Sequence, residues 1–229
     1  SSAASDVYKR QILQILSRFN IPLGFQSKRI EDVCNENGID TDVFLFIVNF
    51  ILTGKIDSER LPVVSPVAIV DFLHNSHDYF LKYKFPHIRQ NLVTALEESH
   101  SDINMAIISF FDSYMEEVKK HFNYEEKRVF PYIRALVNGD NSDYSINLFK
   151  RHHDEIGEKL TELKNIILRF YTTSMPNKMY DVLIDLYNAE EDLDSHNDIE
   201  NHILIPLITM IECNYRSSAN RDGNNNEEK

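Results

Sequence analysis

The sequence predicts an all-α protein, an up-down-up-down four-helix bundle over residues 66–213 preceded by a small three-helix domain at 12–53. Three observations carry this expectation. Apolar residues recur at three- and four-residue intervals through most of the chain, the period of amphipathic helices. Six glycines in 229 residues leave few of the tight turns that a β-rich fold needs. A His-x-x-x-Glu cassette occurs twice, as His121-Phe122-Asn123-Tyr124-Glu125 and His196-Asn197-Asp198-Ile199-Glu200, each followed by a proline at the same distance, Pro131 and Pro206. The flanking aliphatic pattern repeats too, with Val129-Phe130 and Leu204-Ile205 before the prolines and Ile133 and Ile208 after them.

Taken in order, Asp6-Val7-Tyr8-Lys9-Arg10-Gln11 reads as a translated sequencing-adapter remnant, so residues 1–11 carry no fold argument. Ile12, Leu13, Ile15, Leu16 and Phe19 mark a first helix over 8–20, ended near Asn20 and Pro22. A second over 27–37 is stopped by Gly38, and Asp40-Thr41 offers capping oxygens to a third over 42–52. Gly54, a charged run, Pro62 and Ser65-Pro66 mark 54–65 as a linker. Ser65 caps the next helix and Pro66 takes its first position, where a missing N–H costs nothing.

That helix runs to about residue 85, is kinked or restarted at Pro86 and continues to about 99. His77 falls on its apolar face among Leu73, Phe80 and Leu81. The next helix covers about 102–127 with the first cassette, and Pro131 bends the chain beyond it. A third covers about 143–172, with His153 in the stripe of Phe149, Ile156 and Leu160. A fourth covers about 177–204 and carries the second cassette. Residues 214–229 are polar and Asn-rich and read as a disordered tail.

Composition narrows the function. A formal net charge of −12 argues against a nucleic-acid or anionic-membrane partner. A helix-turn-helix DNA reader at 12–53 fits in outline only, since no Lys/Arg cluster marks a recognition helix. Cys34 and Cys213 form neither a disulfide framework nor a thiolate zinc site, which points to a reducing cytoplasm. No apolar run reaches the length of a membrane span.

The chemistry lies in the histidines. Positions i and i+4 share one helix face, so each cassette presents an imidazole and a carboxylate to one point. Each long helix then brings an inward histidine, His77, His121, His153 or His196, and Glu125 and Glu200 add carboxylates. One buried histidine alone is more often a hydrogen-bonded core residue, but six such groups in one interior would be costly without a cation. An all N/O set without thiolate fits iron, manganese or zinc, and six ligands shared by two ions favour iron or manganese. With two imidazoles on each metal and both glutamates bridging, an octahedral ion keeps a position for O2 or NO. Asp78, Glu126, Asp154 and Glu155 read as solvated surface, as do His87 and His100. His74, His152 and His202 stand as candidates for outer partners or a fifth imidazole.

These residues resemble the hemerythrin-type di-iron domain and, more closely, the repair-of-iron-centres family linked to iron–sulfur cluster repair under nitric oxide and oxidative stress. The likeness spans about 66–210. It rests on His121 to Glu125-Glu126 with Phe130-Pro131, on His153-Asp154-Glu155-Ile156-Gly157-Glu158, on His196 to Glu200-Asn201 with Pro206, and on His77-Asp78. It implies a hemerythrin-like bundle with two Fe ions, oxo- or hydroxo-bridged, on His77, His121, Glu125, His153, His196 and Glu200. It also implies damaged iron–sulfur proteins as partners. Ile15-Leu16-Ser17-Arg18-Phe19-Asn20-Ile21 is similar to the family's small N-terminal domain, but Leu23-Gly24-Phe25-Gln26 stands where that family has adjacent cysteines followed by glycines. His152 likewise replaces a carboxylate before the third-helix histidine.

Four functions compete. One is a di-iron repair protein that donates iron or handles NO. Another is a hemerythrin-like module that binds or senses O2 or NO without repair activity. A ferritin-like oxidase would want more carboxylates and fewer imidazoles. The last is a metal-free bundle with a polar layer in its core.

Overall fold

The computed structural model describes residues 11–96, 102–140, 144–152, 158–172 and 176–224, and among these every regular element is helical. At the N-terminal end, α1 spans 11–18, α2 spans Ile30–Glu36 and α3 spans Thr41–Thr53. Asp40 caps α3 as its sequence suggests, its Oδ1 accepting from the amides of Asp42 (2.9 Å) and Val43 (3.2 Å). Gly54 closes α3 at φ 65°, a left-handed conformation that costs glycine nothing.

The remaining helices are α4 (Pro66–Tyr79), α5 (Phe85–Leu96), α6 (Asp102–Tyr124), α7 (Phe130–Val137), α8 (Ile146–His152), α9 (Glu158–Phe170), α10 (Asn177–Ile199) and α11 (Ile205–Asn224). Ser65 Oγ accepts from the Ala68 amide at 3.3 Å, starting α4 as expected. Three prolines lie inside continuous helical stretches, so the helices do not end near 127 and 204 as expected. A π turn precedes each one: Phe80–Lys84 before Pro86, Glu125–Val129 before Pro131 and Glu200–Leu204 before Pro206.

The physical reason is local. Proline has no N–H, and its ring collides with the carbonyl four residues back. Widening one turn to i→i+5 bonding moves that carbonyl aside without breaking the rod. Accordingly the Phe85 amide donates to the Phe80 carbonyl, and the Ile205 amide to the Glu200 carbonyl. The helix of the first cassette therefore continues through α7 to Val137 instead of stopping near 127. The last helix runs to Asn224 rather than ending near 204, because no proline or glycine intervenes between Pro206 and Gly223. The stretch expected as one helix over 143–172 contains α8 and α9, and residues 153–157 lie outside the described residues.

The helices contribute to two compact units, one within the spans 1–73, 127–153 and 198–229, the other within 74–126 and 154–197. The first has a core that includes Ile47, Ile69, Leu73, Ile133, Phe149 and Ile203. There Phe19 packs on Phe44 and Phe72, with ring centroids 5.2 and 5.0 Å away. Glu212 of α11 accepts from the Tyr132 hydroxyl (2.5 Å), the Ser145 hydroxyl (2.9 Å) and the Ile146 amide (2.7 Å), which fixes the start of α8.

The second unit is built on Phe80, Phe85, Phe111, Phe122, Leu163 and Leu186, with α5 and α9 packed on α6. Ion pairs edge this core: Lys84 with Asp185 at 2.6 Å, Arg89 in a two-pronged contact with Asp112, and Lys164 with Glu190. Among the described residues no helix is long and apolar enough to cross a membrane. Cys34 is buried, Cys213 is exposed, and both are free thiols.

Candidate metal centre

Helix periodicity sets up the centre. The stripe Ile107, Phe111, Tyr114, Val118 and Phe122 turns α6 inward, and the next inward positions belong to His121 and Glu125. On α10 the same logic runs through Leu186, Ala189 and Leu193 to His196, with Glu200 one turn further along the continuous helix. His77 comes from the last turn of α4. Glu125 and Glu200 each open a π turn, so the widened turn begins at the carboxylate in both cassettes.

One ligand atom from each of His77, Glu125, His196 and Glu200 lies within 4.8 Å of every other. All four side chains are buried, and both glutamates are 0% exposed. Glu125 divides its oxygens between two rings: Oε2 lies 2.9 Å from His77 Nε2, and Oε1 lies 2.7 Å from His121 Nε2. His121 thus stands beside the four-residue group and meets it through the second oxygen of Glu125. His153, the remaining expected ligand, lies outside the described residues.

A cation suits this arrangement on two counts. Two carboxylates held close together in a dry interior lose hydration and repel each other, at a cost of several kcal/mol per charge. A divalent ion among them reverses the sign of that interaction. The spacing fits as well: two donors at right angles on one ion, with bonds of about 2.1 Å, stand about 3 Å apart, which matches the imidazole–carboxylate distances here. The donors are nitrogen and oxygen only, with neither cysteine in the group, the set that suits iron, manganese or zinc.

Aromatic rings shape the walls. Phe122 stacks on His77 with centroids 4.0 Å apart and planes 18° apart, and it also meets His196 at 5.3 Å. Phe80 faces the His196 ring edge-on at 6.4 Å. These buried phenylalanines restrict both imidazoles to one orientation and exclude water from that side.

Glu126 departs from the expectation that it is solvated surface. Its carboxylate accepts from His77 Nδ1 (2.7 Å) and from His74 Nδ1 (2.9 and 3.0 Å). Burial alone would raise its pKa, but the hydrogen bonds from His77 and His74 outweigh that and hold the carboxyl below its usual range. The sequence signal was available: His74 and His77 are three apart on one helix face, opposite the doubled Glu125-Glu126. His74 is accordingly an outer partner, with its side chain 48% exposed.

The other polar candidates point elsewhere. His202 is exposed beside Asp198 at 3.6 Å, His87 is exposed and meets Asn91, and Asp78 pairs with Lys82 on the surface as its sequence suggests. The side chain of His152, all of His100, and Asp154 and Glu155 lie outside the described residues.

No curated protein matches the chain. The profile of the Hemerythrin HHE cation binding domain matches residues 68–208, well over half of the chain and the span holding every candidate ligand. The chain belongs to the hemerythrin HHE cation-binding domain family.

Proposed function

We propose that the chain is a non-haem di-iron protein of the iron–sulfur cluster repair type, acting in the cytoplasm under nitrosative and oxidative stress. In this reading residues 66–213 are the up-down-up-down bundle, 54–65 a linker and 12–53 a small helical N-terminal domain. His77, His121, His153 and His196 would supply imidazoles, and Glu125 and Glu200 carboxylates, to hold two irons. One observation carries the two-ion site at the centre of this reading. The two oxygens of Glu125 address different imidazoles, His77 at 2.9 Å and His121 at 2.7 Å, as a carboxylate shared between two ions must.

When bound, the irons supply one-electron redox chemistry and a position for O2 or NO, or are themselves delivered to a damaged iron–sulfur protein. The chain's own residues provide the rest. The glutamates neutralise the ions in a buried setting, Phe80 and Phe122 keep the imidazoles in place and dry, and Glu126 holds the Nδ1 proton of His77. The net charge of −12 supports small diatomics and client proteins, not nucleic acid or membrane, as partners.

A hemerythrin-like O2- or NO-sensing module without repair activity is the second reading, and one feature favours it. Leu23-Gly24-Phe25-Gln26 takes the place of the cysteine pair, with Leu23 and Phe25 exposed. Mixing the iron-loaded protein anaerobically with a nitrosylated iron–sulfur protein separates the two. Restoration of the client's cluster supports repair. No restoration, together with a reversible O2 adduct, selects sensing. A chain that takes up no iron contradicts both.

A further inference from the structure

The contact between Glu126 and His77 has a consequence for which nitrogen of His77 faces the centre. An ionised carboxylate only accepts hydrogen bonds, so the 2.7 Å contact places a proton on His77 Nδ1. His74 Nδ1 donates to the same carboxylate from the solvent side, at 2.9 and 3.0 Å to its two oxygens. His77 Nε2 is left to face Glu125 Oε2 at 2.9 Å. With Nδ1–H committed to Glu126, a lone pair on Nε2 opposite a carboxylate oxygen is favourable only when a cation, a metal ion or a proton, lies with them.

Phe122 prevents the ring from escaping this choice. Its near-parallel stack at 4.0 Å allows the imidazole to slide in plane but not to tilt away. His77 itself is 2% exposed, so water offers no alternative partner for Nδ1.

We propose that Glu126, backed by His74, is the positioning residue that sets His77 as an Nε2 ligand and so determines how tightly one of the two cations is held. The matching position of the second cassette differs. In the second cassette the residue after the glutamate is Asn201, which is exposed and carries no charge. The cation held by His77 is therefore the one whose affinity follows Glu126, and the other ion is insensitive to it. This inference rests on the metal-centre reading above, but its first readout does not need the metal.

The test is made on the full chain. In metal-free protein, long-range ¹H–¹⁵N NMR of the imidazoles reads the tautomer of His77. Wild type is expected to show a protonated Nδ1, and Glu126→Ala to lose that preference. Anaerobic titration with Fe(II) then reads affinity. Glu126→Ala is expected to weaken one binding step by about 10–100-fold and leave the other unchanged, the usual scale for removing an outer partner of a ligating histidine.

Glu126→Gln keeps an accepting oxygen at the same place, so it should retain the tautomer and lose less affinity than alanine; it also carries the test should the alanine variant fail to fold. His74→Ala, at a half-exposed position, should give a smaller loss in the same step. Asn201→Ala should change neither step. If Glu126→Ala keeps the Nδ1–H form and both affinities, the inference is overturned while the metal centre stands. If wild type binds no Fe(II), the metal centre falls, and the tautomer measurement still judges the role of Glu126.

Discussion

The two cassettes share spacing, helix type, π turn and proline, yet they sit in different surroundings. In the first, His121 is partly exposed and Glu125 spreads its oxygens over His77 and His121, while Glu126 reaches back to α4 through His74 and His77. In the second, His196 is 3% exposed and ringed by Phe80, Phe122 and His77, and the residue after Glu200 is an exposed asparagine. Even the residues following the histidines differ. Phe122 stacks on His77, whereas its counterpart Asn197 is a buried amide. The repeated motif thus supplies ligands twice, while the neighbours decide what each ligand can do. One cassette is tied by a carboxylate to a second helix, and the histidine of the other is packed among aromatic rings.

The largest expected effect comes from the carboxylates that both cassettes share. Glu125→Ala and Glu200→Ala should each lower bound iron well below two per chain, measured by metal analysis on purified protein. Glu125→Ala should be the more severe, since two imidazoles converge on it. Equal retention of iron in either variant would refute the bridging role.

Next in size is Phe122→Ala. Removing a fully buried ring that packs on both His77 and His196 should cost about 3–5 kcal/mol of stability by urea unfolding of the metal-free chain. Asn197→Ala removes a smaller, polar group at the matching position and should cost under about 2 kcal/mol. If the order reverses, the aromatic wall is not what holds this part of the core together.

The smallest effects sharpen the asymmetry from outside the centre. Asp78→Ala and His202→Ala each remove an exposed i,i+4 partner, and both should leave stability within about 0.5 kcal/mol and iron content unchanged. A loss of iron in His202→Ala would mean that this exposed imidazole supports the centre.

Much of this was legible in the sequence because helices convert spacing into direction. His77, His121, Glu125, His196 and Glu200 could be placed on inward faces by period alone, and four residues of that set have ligand atoms within 4.8 Å of one another. What period cannot resolve is a neighbour one step round the helix. Glu126 follows a ligand by one residue, and a rotation of about 100° made it look solvent-facing. Only the presence of His74 and His77 opposite turns that position into a hydrogen-bonded, part-buried one. The prolines misled for a related reason. Their local rule is to break or bend a helix, but a single widened turn satisfies the same steric demand, so the rods at Pro131 and Pro206 run on. The stretch 214–224 looked disordered from its polarity, yet it extends a helix that nothing upstream interrupts.

The central claim is that both cassettes close on one shared pair of irons, and the most direct test is Mössbauer spectroscopy with iron quantitation on wild-type protein purified without added metal. The account predicts about two irons per chain, coupled through a bridge and inequivalent because only one of them answers to Glu126. A chain that binds no iron, or a single uncoupled ion, would contradict it.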